Sequence, residues 1–283
     1  MFKFGLQLER SRGCDLSVSL SSGLAGIGDH PILAMLDTST SRWKYLRVDL
    51  PPEGLKSLSG NSFLRLDTLI VRICARRNSP TRNMKFNGDS KHRTGSAAIS
   101  VPSVINLNLH ETSKSPGAIY RLLASVSFPS ATLLNMSFPL TFNVSPDQNV
   151  RALLEFLTVA GNLVDLRLYM EAVPDSLLTD LTVSQSHRIL PKLRTLTLQL
   201  FTSSAGVSTF TPTLLFRMLR SHYVKEHGDV ISDGTADSSG ISTVGTGSLK
   251  ELRLKAWRKL NFANLEDQQG WNAICEEIKV VYG

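Results

Sequence analysis

Three arginines and two tyrosines carry most of the recognition chemistry this sequence offers. Arg47, Arg167 and Arg253, with Tyr45 and Tyr169, stand at alternate positions of three short segments. Those segments are Trp43-Lys44-Tyr45-Leu46-Arg47-Val48, Leu163-Val164-Asp165-Leu166-Arg167-Leu168 and Leu249-Lys250-Glu251-Leu252-Arg253-Leu254. A guanidinium presents a rigid fork of N–H donors, and tyrosine joins an apolar ring to a polar tip. Both types are enriched where proteins grip other proteins. Asn108, His110 and Gln199 fall at equivalent positions of neighbouring segments and add donors and acceptors. Tyr45, Arg47, Asn108, His110, Arg167, Tyr169, Gln199 and Arg253 are therefore the candidate partner-binding residues.

Catalysis finds no comparable constellation. The sequence has no GxSxG elbow, no HExxH, no phosphate loop and no CxxC pair. Gly23-Leu24-Ala25-Gly26-Ile27-Gly28 places its glycines at the wrong offsets for a dinucleotide loop. His222 and His227 are too far apart in sequence to share a helical face, and no third metal ligand stands nearby. His110 is a lone strand-face histidine, Asp175-Ser176 reads as a helix start, and Glu276-Glu277 as a solvated helix face. The expectation is a non-enzyme with no cofactor and no metal.

The elements that must position the arginines and tyrosines repeat. Seven segments, starting at residues 43, 66, 104, 131, 163, 193 and 249, read apolar-x-x-apolar-x-apolar. Each predicts a strand that buries one face and must stack on a neighbour. Leu16-Ser17-Val18-Ser19-Leu20 alternates in the same way and predicts a first strand, and Lys279 to Tyr282 a last one. Between the strands the spacing turns helical: Pro31 to Leu36 with Asp29 as N-cap, Val150 to Val159 with Asp147 as cap and Gly161 as stop, Ser176 to Val183, Pro212 to Tyr223, and Leu265 to Ile278.

Strand–helix–strand units predict a parallel sheet with helices outside. The expected fold is α/β, an irregular leucine-rich-repeat solenoid of horseshoe form with the sheet on its concave face. Its leucines fill the core. The residues between them face outward: Tyr45, Arg47 and Asp49; Thr68, Ile70 and Arg72; Asn106, Asn108 and His110; Leu133, Asn135 and Ser137; Asp165, Arg167 and Tyr169; Thr195, Thr197 and Gln199; Glu251, Arg253 and Lys255. Arg47, Tyr45, Arg167 and Tyr169 come near one another only if the repeats keep register.

Residues 1–283 read as one such domain with two insertions. A basic loop spans 76–94, and a Gly/Ser-rich segment at 228–247 reads as disordered. The formal charge of +7 is concentrated between Arg72 and Arg93, where seven cations meet one carboxylate. A scattered basic loop with Phe86 as its one aromatic is a poor nucleic-acid platform, so nucleic acid is not the expected partner. Cys14, Cys74 and Cys275 are odd in number and far apart, which argues against a disulfide framework. No apolar leader or membrane-length run is present. The expected partner is a protein, the expected compartment cytoplasm or nucleus, and no membrane is involved.

Several motifs together resemble a known family. Leu8-Glu9-Arg10-Ser11 followed by Leu16-Ser17-Val18-Ser19-Leu20, the strand Ser41-Arg42-Trp43-Lys44-Tyr45-Leu46-Arg47-Val48-Asp49-Leu50-Pro51, and Leu190-Pro191-Lys192-Leu193-Arg194-Thr195-Leu196-Thr197-Leu198 are similar to the region after the F-box in mushroom-type fungal F-box proteins. The resemblance covers about Leu6 to Val281. It implies the substrate-recognition region of a ubiquitin-ligase receptor, with a protein substrate as its partner and no catalytic residues. The F-box itself, roughly LPxELLxxIF, is absent from these 283 residues. A ubiquitin-ligase adaptor is then a partner only if an F-box lies upstream, and the chain reads as a fragment or as a paralogue without the docking module. The alternative is a stand-alone leucine-rich-repeat scaffold without a ligase link, or a truncated non-functional paralogue.

Overall fold

The computed structural model describes residues 8–21, 36, 38–50, 63–73, 99–111, 118–123, 126–138, 146–170, 173–182, 189–200, 211–222, 249–255, 260, 262 and 264–282. The strands are β1 (Leu16–Ser21), β2 (Trp43–Leu50), β3 (Thr68–Ile73), β4 (Ile99–Ser100), β5 (Asn106–Glu111), β6 (Val126–Ser127), β7 (Leu133–Phe138), β8 (Asp165–Met170), β9 (Thr195–Leu200), β10 (Glu251–Lys255) and β11 (Lys279–Tyr282). The helices are α1 (Ala118–Leu123), α2 (Pro146–Val159), α3 (Asp175–Leu181), α4 (Pro212–His222) and α5 (Leu265–Glu277).

Nine strands form one sheet in the order β1-β2-β3-β5-β7-β8-β9-β10-β11, and every pairing in it is parallel. β4 and β6 pair separately. Strand order follows chain order and never reverses, so right-handed crossovers all fall on one side of the sheet. The helices form a single row there, α1 against α2, α2 against α3, α3 against α4 and α4 against α5. The chain is thus α/β, with a helix layer on one sheet face and no described helix on the other.

The register explains the repeated leucines. One core row runs Val18, Leu46, Leu69, Leu107, Leu134, Leu166, Leu196 and Leu252 from strand to strand. The next runs Leu20, Val48, Val71, Leu109, Met136, Leu168, Leu198 and Leu254. All are buried and join one cluster with helix residues such as Leu157, Leu178, Leu215 and Trp271. Period-two alternation puts these rows on the helix side and the intervening residues on the other.

Five strands of the main sheet, β3, β5, β7, β8 and β9, start the same way. The carbonyl of the residue before the strand accepts from two successive N–H groups of the next repeat: Asp67 from Ile105 and Asn106, Ile105 from Thr132 and Leu133, Thr132 from Val164 and Asp165, Val164 from Arg194 and Thr195, Arg194 from Lys250 and Glu251. A tight turn precedes several strands, closed by Ala131 N–H to Phe128, Leu163 N–H to Ala160 and Leu193 N–H to Leu190. In the last of these Leu190 adopts φ +58° ahead of Pro191 and is buried, so a core contact offsets a left-handed backbone. These shared bonds lock the register that the leucine spacing demands.

Local details revise some expected boundaries. Asp147 lies inside α2, which begins one residue earlier, and so does not act as its cap. Gly161 sits in the turn beyond α2 without a left-handed φ; the bond from Leu163 N–H to the Ala160 carbonyl turns the chain there. Asp175 does open a helix, with Pro174 at the N-cap. The Asp175 carboxylate also accepts from Thr211 N–H and the Thr211 hydroxyl, both at 2.8 Å, which ties the start of α3 to that of α4. Thr213 donates to Asp267 at 2.8 Å and links α4 to α5 in turn.

Helix α1 and the β4–β6 pair were not expected from the sequence. Ile119, Leu122 and Leu123 carry helical spacing, but over less than two turns. Glu111 occupies a core-facing position where Ile73 stands on the neighbouring strand, and is buried. Its carboxylate accepts from Ile119 N–H at the start of α1, at 3.5 Å. A buried carboxylate breaks the apolar pattern here because a helix N-terminus meets it. Of the expected Pro31–Leu36 helix only Leu36, helical and buried, is among the described residues; Asp29 and both insertions, 76–94 and 228–247, lie outside them.

The motifs Leu8-Glu9-Arg10-Ser11 and Ser41-Arg42-Trp43 touch. Arg42 donates to the Ser11 carbonyl at 2.9 Å and to its hydroxyl at 3.0 Å. Trp43 is fully buried, and its indole N–H reaches the Ser39 hydroxyl at 3.2 Å, which itself donates to the Leu36 carbonyl. A short 3-10 turn, Thr40–Arg42, brings the three together ahead of β2.

Candidate functional site

All eight candidate residues lie on the sheet face away from the helices. Three cross-strand rows run over it. The first is Ser17, Tyr45, Thr68, Asn106, Leu133, Asp165, Thr195, Glu251 and Lys279. The middle row is Ser19, Arg47, Ile70, Asn108, Asn135, Arg167, Thr197, Arg253 and Val281. The third is Ser21, Asp49, Arg72, His110, Ser137, Tyr169, Gln199 and Lys255.

The register is kept, yet it separates the two Tyr/Arg pairs. Tyr45 and Arg47 sit on β2, Tyr169 and Arg167 on β8, with β3, β5 and β7 between. Four steps of about 4.8 Å put them roughly 19 Å apart. The expected single cluster is therefore two. Nor is the face uniformly exposed: most of its residues are half-buried, because strands this close let long side chains cover their neighbours. Thr197, expected to be exposed, is 1% exposed.

The first cluster covers β2, β3 and β5. Arg47 donates through Nε and Nη2 to Asp49 at 3.3 and 3.1 Å, and Arg72 approaches the same carboxylate at 3.9 Å. His110, beside Arg72 in register, has its pKa lowered, first by burial and then by the Arg72 charge. Its imidazole is therefore neutral at pH 7. Asn135 donates to Asn108 at 3.0 Å and carries the polar row on toward β8.

The second cluster covers β8 to β11. Arg167 donates through Nε and Nη2 to Asp165, the shortest contact being 2.6 Å. Arg253 makes the same clasp with Glu251, both bonds at 3.1 Å. Lys279 reaches Glu251 at 3.0 Å. These bonds raise the pKa of both arginines and lower that of Glu251, chiefly through Arg253 and then Lys279. Thr197 stands between Arg167 and Arg253 in the middle row, and its buried Oγ has no hydrogen-bond partner.

Asp49, Asp165 and Glu251, which hold the arginines, lay outside the candidate set. The signal for them was legible: Arg47-Val48-Asp49, Asp165-Leu166-Arg167 and Glu251-Leu252-Arg253 each place an acid two residues from an arginine, hence on the same strand face. What the arrangement can do chemically is grip polar and charged groups. Among the described residues no group of three or more His, Cys, Asp or Glu side chains converges as a metal site. His222 is buried at the end of α4, where Nε2 donates to the Leu181 carbonyl at 2.9 Å, and His227 is outside the described residues. Cys14 and Cys275 are free thiols. No helix among the described residues is long and apolar enough to cross a membrane. No protein-family model matches the chain, and no curated protein matches it either.

Proposed function

We propose that this chain is a protein-recognition module, a leucine-rich-repeat solenoid of horseshoe form whose sheet face away from the helices selects a protein partner. It resembles the substrate-recognition region of mushroom-type F-box ubiquitin-ligase receptors. One observation carries the reading: a single parallel sheet, wound in chain order, packs one face on a row of helices and leaves the other face lined in register by arginine, tyrosine, asparagine and glutamine. Repeat proteins commonly use such a surface to bind. The arginines are also held by their own strands, so less side-chain entropy is lost on contact. Recruitment of a ubiquitin-ligase adaptor would need an F-box, so the reading concerns recognition and not transfer of ubiquitin.

Affinity capture tests it. The wild-type chain, a version with Arg47, Arg167 and Arg253 changed to glutamate, and a control with Arg151→Glu on the exposed side of α2 are compared in the same extract. The expected result is a set of proteins retained by wild type and control and lost by the triple variant. Equal retention by all three rejects the sheet face as the recognition surface. Adding the adaptor protein to the same capture separates the ligase-linked form of the proposal from a stand-alone scaffold.

A further inference from the structure

The middle row of the sheet face holds hydrogen-bonding capacity that the protein itself leaves unspent, and that capacity is concentrated around Arg167. Thr197 is 1% exposed and its hydroxyl has no partner. Asn135, on the other side of Arg167, keeps a buried side-chain oxygen that is also unpartnered. Native proteins satisfy most buried polar groups, so two such atoms flanking one guanidinium call for a reason.

The unspent capacity between Arg167 and Arg253 is that of donors and favours an anion, whereas the Asn135 oxygen on the other side of Arg167 is an acceptor and forms no part of it. Asp165 is saturated by Arg167, and Glu251 by Arg253 and Lys279. Both arginines spend Nε and one Nη2 hydrogen on their own carboxylates. What remains on each fork is the Nη1 pair and the second Nη2 hydrogen, all of them donors. The hydroxyl of Thr197 lies between them in register, covered in this structure, and can donate to a ligand once its cover parts. β8 and β10 flank β9, so the two arginine backbones are roughly 10 Å apart. Arginine side chains are long enough to converge from that backbone separation on one oxyanion, each donating a bond of about 2.8 Å. The two guanidiniums also lie within each other's field: the bond to Glu251 raises the Arg253 pKa most, while the Arg167 charge lowers it and the Asp165 charge opposes that effect.

We infer that Arg167, Thr197 and Arg253 form a binding site for an oxyanion, a phosphate or a carboxylate group of the partner. The inference rests on the reading of this face as the recognition surface, and it names the chemistry that the surface takes. The acids pre-organise the forks and offset their charge when the site is empty. Thr197 marks the centre of the site.

The full chain is titrated at constant ionic strength with sodium phosphate and, separately, with sodium acetate, followed by calorimetry or by backbone amide NMR shifts. Saturable binding of at least one anion is expected, with shifts centred on β8, β9 and β10; which anion binds tells phosphate from carboxylate. Arg167→Gln and Arg253→Gln should each weaken it about tenfold or more, the loss expected for a charge-assisted bond. Arg253→Lys, which keeps the charge without the fork, should fall between. Thr197→Val should weaken binding while raising the melting temperature, a combination that a misfolded variant cannot produce. Arg151→Gln on α2 should bind as wild type does. Absence of saturable binding by both anions, or binding unchanged in Arg167→Gln, overturns the inference. If partner capture through the sheet face still succeeds, the recognition reading survives that outcome; if capture fails while phosphate or acetate binds, the site stands and the recognition reading falls.

Discussion

Replacing Thr197 by valine should make this protein more stable. Thr197 is buried to 1% exposure in the middle of a half-open sheet face, and its hydroxyl oxygen meets no hydrogen-bond partner. Leaving a hydroxyl dehydrated and unbonded costs about 1–3 kcal/mol in proteins. Valine has nearly the same shape, keeps the branched Cβ that suits a strand, and removes the polar atom. Part of the gain is lost because its cross-strand neighbours in register are Arg167 and Arg253, not apolar residues. A net stabilisation of about 1 kcal/mol follows, and for a chain of this size a rise of about 2 °C in melting temperature. Thr195 is the control: it lies two residues earlier on the same strand face and is only half-buried. Thr195→Val should stay within about 0.5 kcal/mol of wild type. Equilibrium urea unfolding of the three proteins, with equal m-values, gives the comparison. A Thr197→Val protein less stable than wild type by about 1 kcal/mol or more would falsify the reasoning, because the hydroxyl would then have to be bonded in the folded state.

Three further perturbations test other parts of the structure. Leu166 is fully buried in the first core row, so Leu166→Ala should cost about 2–5 kcal/mol, read as a large fall in melting temperature; a neutral result would sink the assignment of the core. A Cβ at Gly270 would run into the ring of the buried Phe216, so Gly270→Ala should destabilise by about 1–3 kcal/mol despite the better helix propensity of alanine, and a stabilised variant would show that the ring moves aside. Burial lowers the pKa of His222, more than the bond to Leu181 raises it, so the folded protein binds this proton less readily than the unfolded chain. Its contribution is complete above the unfolded value of about 6.5 and is lost as pH falls toward the lower folded value. Urea midpoints at pH 7.5 and 5.5 should therefore differ more for wild type than for His222→Gln, and equal differences would remove the argument.

The repeat was the most legible part of the sequence. Every apolar-x-x-apolar-x-apolar segment leads into a strand of the main sheet, and the helices at 150–159, 176–183, 212–223 and 265–278 match α2 to α5 within a few residues. Such segments are readable because burial repeats with a fixed local period. Helix α1 is short, and the Glu111 carboxylate, seven residues before it, accepts from the N–H of its second residue, Ile119. A single buried carboxylate carries no periodicity, so nothing local announced it. The same holds for the contact between Arg42 and Ser11, which joins segments 31 residues apart.

The candidate surface divides in the same manner. Which residues point away from the helices follows from alternation along each strand, and the sequence alone determined it for Tyr45, Arg47, Asn108, His110, Arg167, Tyr169, Gln199 and Arg253. The parallel α/β class followed too, since alternating strand and helix periods leave few other ways to bury both. Which of those residues are neighbours was decided only in three dimensions. Strand order puts β3, β5 and β7 between the two Tyr/Arg pairs, and register puts Thr197 between two arginines and buries it. The physical reason is that alternation is a property of one strand, whereas proximity across a sheet depends on every hydrogen-bonded pairing between the two strands, and those pairings are made by residues far apart in the chain.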